Sequence, residues 1–535
     1  MPIRMEEDPQ EPRREPNRPV NPGGGGGGIG GLGQLLPYAL MFLLKKPKLL
    51  MPVIIGAGIL YFLGFFDGCL GGGQIAPEYD PGENSGIISN NDEFSFGATL
   101  SEKEFDKAQV FEPLSTAGYG STRLPTSITL SQYAPSRRQQ GSQGSCVGWA
   151  ASYAARTILH SRATGAAPDQ VAFSPSFLYN HIKLNRNCQG AYMHDAMAFL
   201  KENGTLPFRE FAYDERTCSV MPDQSELANA RNYRTKGYTR LTYGAGNYKI
   251  DLNGMKQNLA QGAPVVIGMM VGGTFMQGMR GQKVWRPTSR DYSQSGYGGH
   301  AMCVIGYDDN LAGGSFQIMN SWGNEWGQNG IGWVTYNDFS EFTKEAYGLH
   351  PMGSSENLDP TRLKVKFGLV DNASQKLIPL RQMSDQLFAT KSKVQIGKKF
   401  KVAVTNSSEC FVYIFGEETD GSAYTLFPYT EKHSPYCGIV GTRVFPRDHS
   451  MKADDLGNKD RIAVVVSKQE LPYSELNKAL NLSNASSFEG KLKQILGKEQ
   501  VQNIEYTATA DGAVEFDAKL KDGEYFIGWV IEIDK

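Results

Sequence analysis

Excess charge is missing from this chain of 535 residues: 54 Lys and Arg stand against 56 Asp and Glu, and a net of −2 gives no general electrostatic case for nucleic acid as a partner. Cys-x-x-Cys pairs are absent too, although the chain has 7 cysteines and 7 histidines. His160, His181 and His194 are spaced by 21 and 13 residues, which matches no compact ligand motif, so they read as surface or helix-packing side chains and no metal is expected. The glycine run from Gly23 to Gly28 lacks the Lys-Ser/Thr pair of a phosphate-cradling loop and reads as linker. No cofactor is expected.

What the chain does contain is a cysteine opening a helical pattern. Cys146 ends the run Gln140-Gly-Ser-Gln-Gly-Ser-Cys146, after which Val147, Ala150, Ala151, Ala154, Ile158 and Leu159 recur at helical spacing, with Ser145 as the predicted N-cap. A thiol attacks as thiolate, and its free pKa of about 8.5 leaves little of that form at neutral pH unless positive potential lowers it. Unpaired amides at the helix start supply part of that potential, and an imidazolium supplies the rest. His300 lies 154 residues beyond Cys146 (300 − 146), so only folding brings it to the sulfur.

The run His300 to Tyr307 alternates like a strand, Asp308 to Gly314 reads as a hairpin loop, and Ser315 to Met319 as the returning strand. That hairpin sets Asn320 beside His300, where an amide oxygen fixes the tautomer and orientation of the ring while Trp322 shields the bond from water. Gln140 is placed to offer its side-chain N–H, with the Cys146 backbone N–H, to a developing oxyanion.

With Gln140, Cys146, His300 and Asn320 in this order, and with Asn320-Ser-Trp-Gly-x-x-Trp-Gly-x-x-Gly330, the region from Leu124 to Tyr347 resembles the papain-like cysteine peptidases, in a divergent bacterial branch. Leu124-Pro-Thr-Ser looks like that family's mature start, and Cys188-Gln-Gly-Ala191 like the segment whose backbone pairs with an extended substrate. The resemblance implies a two-lobed α+β fold with a cleft between the lobes. It also implies a peptide or protein substrate touching Gly190, Ala191, Gly299 and Trp322, and catalysis by Cys146, His300, Asn320 and Gln140. Departures lie at Gln143, where the family has a cysteine, at Val147 and Gly148, which separate Cys146 from Trp149, and at Ala191, where the family has glycine. Hydrolysis and transpeptidation use the same parts, so both stay open. A catalytically silent scaffold binding a peptide or protein in an envelope assembly is the reading from another class.

Around this region the composition changes. Residues 1–33 read as a disordered tail and Gly-rich linker, and residues 34–48 as a short apolar segment with a basic flank. Residues 49–66, uncharged throughout, are just long enough for a transmembrane helix in a lipid bilayer. Lys45, Lys46 and Lys48 before the span, against Asp67, Glu78, Asp80 and Glu83 after it, predict a single-pass protein with its N-terminus cytoplasmic and its catalytic domain periplasmic or extracellular. Residues 67–123 read as a stalk with one short helix between Ser101 and Val110, and no inhibitory helical propeptide stands out. In an exported chain, Cys188 with Cys218 and Cys410 with Cys437 are the expected disulfides, Cys303 is a buried strand residue and Cys69 is unassigned.

The peptidase-like region is expected over 124–352. Beyond it, over 353–535, short alternating strands such as Phe400–Thr405, Phe411–Phe415 and Arg461–Val466, with Asp-Gly turns at 420–421 and 522–523, predict a β-sandwich-like domain. This part resembles a bacterial accessory domain of unknown function found beside peptidase domains, and because no titratable constellation stands out in it, binding a protein partner rather than catalysis is expected.

Overall fold

The computed structural model describes residues 4–8, 94–350 and 359–535. The expected span over 49–66, its flanks and Cys69 lie outside the described residues, and among the described ones no helix is long and apolar enough to cross a membrane. The helical lobe of the 124–352 region is built on three pieces that run end to end: Cys146–Gly148, the wider-turned Trp149–Arg156, and Thr157–Thr164. Alanines at 150, 151, 154 and 155 leave little side-chain bulk, so neighbouring elements close on this rod from nearly all sides and bury it. Gly165, with φ of 71°, ends it by taking the left-handed conformation that a Cβ would oppose. Ser145 precedes the rod, but its hydroxyl does not cap it; Ser145 Oγ lies 2.6 Å from Tyr213 Oη instead.

Facing the rod is a seven-stranded antiparallel sheet. Its neighbours run in the order Ile331–Thr335, Ser315–Met319, Gly298–Asp308, Val265–Val271, Thr343–His350 and Gly237–Arg240, with Ser127–Thr129 on the far end of the Gly298–Asp308 strand. The hairpin expected between His300 and Asn320 is present with the predicted second strand, Ser315–Met319.

Residues 359–535 form a sandwich. One sheet contains Arg362–Asp371, Lys399–Asn406 and Val514–Lys519, the other Cys410–Glu417, Lys459–Ser467 and Phe526–Asp534. Val365, Phe367, Val402 and Phe516 of the first pack against Val412, Ile414, Val464 and Trp529 of the second. The second sheet is apolar on both faces, and its outer face is covered by the helices Tyr473–Leu482 and Phe488–Leu496 through Leu480, Phe488, Leu492 and Leu496. The strand-only reading of this domain omits these helices, whose four-residue apolar spacing was the available signal.

Three further expectations are corrected. The tail is not disordered throughout: Arg4–Glu7 forms an edge strand antiparallel to His449–Lys452, and its acidic side chains meet a basic edge, Glu6 with Lys399 and Lys452 and Asp8 with Lys401. Residues 94–120 are not a free stalk but lie packed along the folded region. Cys188 and Cys218 are bonded, whereas Cys410 and Cys437 are free thiols standing directly opposite each other on antiparallel strands. Directly opposed residues hold their Cβ atoms about 4.5–5.5 Å apart, mostly wider than a disulfide prefers.

Candidate active site

Cys146 stands at the head of the central rod, with its sulfur 3.3 Å from the amide of Ala301, the residue after His300. Sheet register carries His300 to the cleft opposite Met269. His300 Nε2 is 2.7 Å from Asn320 Oδ1, and Trp322 stacks on the ring with centroids 4.3 Å apart. The hairpin thus joins ring and amide, while the indole covers their bond. His300 Nδ1, the ring atom left for the sulfur, has no hydrogen-bond partner in this state.

Gln140 is fully buried and tied at both ends of its amide. Its Oε1 accepts from Ser321 Oγ at 2.7 Å, and its Nε2 donates to Gln143 O at 2.9 Å and toward Ser95 O at 3.4 Å. Tyr213 Oη holds the Gln140 carbonyl from below at 2.7 Å. Neither Tyr213 nor Ser321 was assigned a role from sequence; Ser321 lay within the Asn-Ser-Trp-Gly run, but Tyr213 has no local signal.

The feature that sequence reasoning missed is the occupant of the cleft. Residues 94–100 run through it in extended form. Ala98 and Thr99 pair in parallel with Ala191 and Tyr192, Ala191 N donates to Gly97 O at 3.0 Å, and Gly97 N donates to Gly299 O at 3.3 Å. Ser95 O also accepts from Trp322 Nε1 at 3.1 Å, and Phe94 stacks on the other side of that indole with centroids 4.8 Å apart. The strap therefore takes up the backbone groups of Ala191 and Gly299 and the indole N–H of Trp322 expected to meet a substrate, and packs against Gly190, whose own amide donates to Tyr179 Oη instead.

The fit depends on absent side chains. A Cβ on Gly97 would lie 2.2 Å from Gly144 O, one on Gly190 2.9 Å from Gly97 O, and one on Gly299 2.1 Å from Ala98 O. Such distances allow backbone to approach backbone and nothing larger. Ala191 stands where the family has glycine, and the pairing still forms because it is the Ala191 N–H that reaches the strap.

Covering the cleft changes its electrostatics. Burial pushes the Cys146 thiol up to about 12, against the opposing pull of the Ala301 and Val147 amides. Burial also draws His300 down to about 4, with the Asn320 bond opposing. Both shifts favour the neutral thiol and the neutral imidazole over the expected thiolate–imidazolium pair beneath the strap, because burial disfavours each ion.

The three histidines set aside in the sequence have separate packing partners in the structure. His160 packs edge-on against Phe173 and Tyr233, His181 Nδ1 lies 2.7 Å from Phe177 O, and His194 Nε2 lies 3.0 Å from Tyr238 Oη.

The chain is similar to known cysteine proteases over the region that carries this site. The profile described as papain family cysteine protease matches residues 124–348, and that of a domain of unknown function (DUF4384) matches residues 393–470. An uncharacterized peptidase C1-like protein of Acanthamoeba polyphaga mimivirus is 29% identical over 217 residues, 38% of this chain and 65% of that protein. A cysteine protease of Blomia tropicalis is 28% identical over 45% of this chain and 70% of its own, and mouse cathepsin K is 28% identical over 40% and 61%. The chain thus spans a little under two thirds of the mimivirus and mouse relatives. Among solved structures, xylellain, a cysteine protease from Xylella fastidiosa, aligns over 47% of this chain and 98% of its own at 23% identity, with a TM-score of 0.36.

Proposed function

Because residues 124–348 belong to the papain family of cysteine proteases, we propose that the chain is a cysteine endopeptidase that hydrolyses peptide bonds once its strap leaves the cleft. Opening readmits water and lets the Cys146 proton pass to His300 Nδ1, which has no other partner. The thiolate attacks the scissile carbonyl carbon, and the new oxyanion is held by Gln140 Nε2 and the Cys146 N–H. The imidazolium then gives its proton to the leaving amine, leaving a thioester on Cys146. His300 next takes a proton from water, the hydroxide displaces the sulfur, and the acid product departs. Asn320 Oδ1, at 2.7 Å, keeps His300 Nε2 protonated and the ring aligned throughout.

One observation carries this reading: a backbone carbonyl, Ser95 O, already sits in the cleft facing the Gln140 amide and the Trp322 N–H, so the site is built to receive an extended peptide. Attachment to a membrane through residues 49–66 belongs to the same proposal, supported by the length of that uncharged stretch.

The test is cleavage of a peptide library by the full chain carrying Gly97→Ala, with and without Cys146→Ala. Loss of the sulfur is expected to reduce turnover by about a thousandfold or more. Cleavage that survives Cys146→Ala would place the chemistry elsewhere, and binding of library peptides without any cleavage would favour the silent scaffold.

A further inference from the structure

The strap has two halves with different hosts. Residues 94–100 touch the peptidase domain, whereas the stretch that follows is gripped by the C-terminal domain as well. Helix Glu102–Phe105 turns the chain, and Asp106 then lies between Arg240 of the peptidase domain at 3.0 Å and Lys432 of the C-terminal domain at 2.6 Å. Gln109 to Phe111 forms a short extended bridge between the domains. Arg240 N donates to Gln109 O at 2.8 Å on one side; on the other, Val110 N donates to Lys432 O at 2.6 Å and Ser434 N to Val110 O at 3.0 Å.

The grip continues along the chain. Arg443 Nε donates to Glu112 O at 3.0 Å, Ser115 N donates to Thr442 O at 2.8 Å, and Tyr119 N donates to Gln375 Oε1 at 3.2 Å. Tyr119 Oη also reaches Asp511, at 3.2 Å.

We infer that the C-terminal domain is the clamp that keeps the strap in the cleft, so that latency is set by its hold on residues 106–119. This rests on the peptidase reading of the cleft. The segment over Cys146 is held by its own bonds to the cleft, but it is presented to the cleft at high local concentration only while the neighbouring residues are anchored a few positions away. Loosening the anchor lowers that concentration without touching a residue of the cleft. The domains also meet independently of the strap, through Gln261 with Val440 at 2.7 and 2.9 Å and through Lys236 with Glu409, so weakening the grip leaves them joined.

The experiment uses the full chain carrying Lys432→Glu, at a side chain that is 47% exposed and so dispensable to the core, and a second form that adds Tyr119→Ala. Two readouts are taken on each: hydrogen exchange of residues 94–100 and 106–119, and the rate at which iodoacetamide alkylates Cys146, located by mass spectrometry. The expected result is faster exchange in both halves together and Cys146 alkylation raised roughly fivefold or more, as reversal of a partly exposed charge pair allows. Faster exchange confined to 106–119, with 94–100 and Cys146 unchanged, would overturn the clamp, as would a double variant in which nothing loosens. Alkylation that rises without any peptide cleavage leaves the clamp standing and sinks the peptidase reading. Cleavage by the Gly97→Ala chain with silent clamp variants does the reverse.

Discussion

At the scale of the residue, Gly97 decides whether the cleft is closed. Adding one methyl group there drives it to within 2.2 Å of the Gly144 carbonyl, where neither backbone has room to yield. Overpacking of this kind costs about 1–3 kcal/mol, so Gly97→Ala is expected to speed Cys146 alkylation by roughly tenfold to a hundredfold while leaving the thermal midpoint of the peptidase domain nearly unchanged. An unaltered alkylation rate would mean that residues 94–100 do not control access.

Glu345 offers a second residue-scale prediction. It is buried, accepts from Ser101 N at 2.8 Å and from Tyr347 Oη at 3.1 Å, and burial raises its carboxyl from 4.5 to about 7. A carboxyl whose folded pKa lies above its unfolded value binds more protons when folded, so this group's contribution falls as pH rises from about 4.5 to about 7 and is flat beyond. Glu345→Gln is therefore expected to raise the melting midpoint above about pH 7 and to have little effect below about pH 4.5, the two values that bound the titration. His300, His350 and His433 shift the other way, since burial lowers each of them. For that reason the check is the difference between variant and parent curves, which a pH-independent gap would contradict.

At the scale of the element, the cleft wall depends on a clip. Cys188 and Cys218 are 30 residues apart in sequence and bonded, and Cys188 belongs to the segment that presents Ala191 to the strap. Cys188 itself takes a positive φ of 58°, a conformation with little local support in a residue that is not glycine. Removing the bond is expected to cost about 3 kcal/mol of stability, seen as an earlier denaturant midpoint for Cys188→Ala with Cys218→Ala. Hydrogen exchange at Ala191 would rise before global unfolding; equal protection there in both forms would show that the wall holds without the clip.

Elements also show where sequence periodicity succeeded. The strand Ser315–Met319 and the loop before it follow from alternation and turn residues, and with them comes the meeting of His300 and Asn320. The helices over 473–496 are less legible, because the strands around them carry the stronger apolar signal and because the outer face they cover is apparent only once the sheet exists.

At the scale of the molecule, the docked N-terminal strand bears on membrane topology. A single crossing by residues 49–66 would put Arg4–Glu7 and the C-terminal domain on opposite faces of a bilayer, whereas pairing of Arg4–Glu7 with His449–Lys452 within one chain requires them on the same face. Cysteines introduced at Met5 and Ile396, which are 40% and 64% exposed, are accordingly expected to react with an impermeant maleimide from the same side of sealed vesicles. Labelling from opposite sides would favour the single-span arrangement that Lys45, Lys46 and Lys48 suggest, and would break the strand pairing.

Chemistry and its order along the chain were determined by the sequence alone: a thiol at a helix start, a strand histidine, a hairpin asparagine and a glutamine six residues before the cysteine, each announced by short-range spacing. Tertiary structure alone decided that residues 94–100 lie across the same site and that the residues after them bond to both domains. Nothing in Phe94 to Leu100 marks it as a strap, because its role comes from the surface it meets, and that surface is assembled from residues 140 to 322. Burial shifts the Cys146 thiol up and the His300 imidazole down in the same way, since a pKa answers to the solvent and partners around a group and not to its neighbours in the chain.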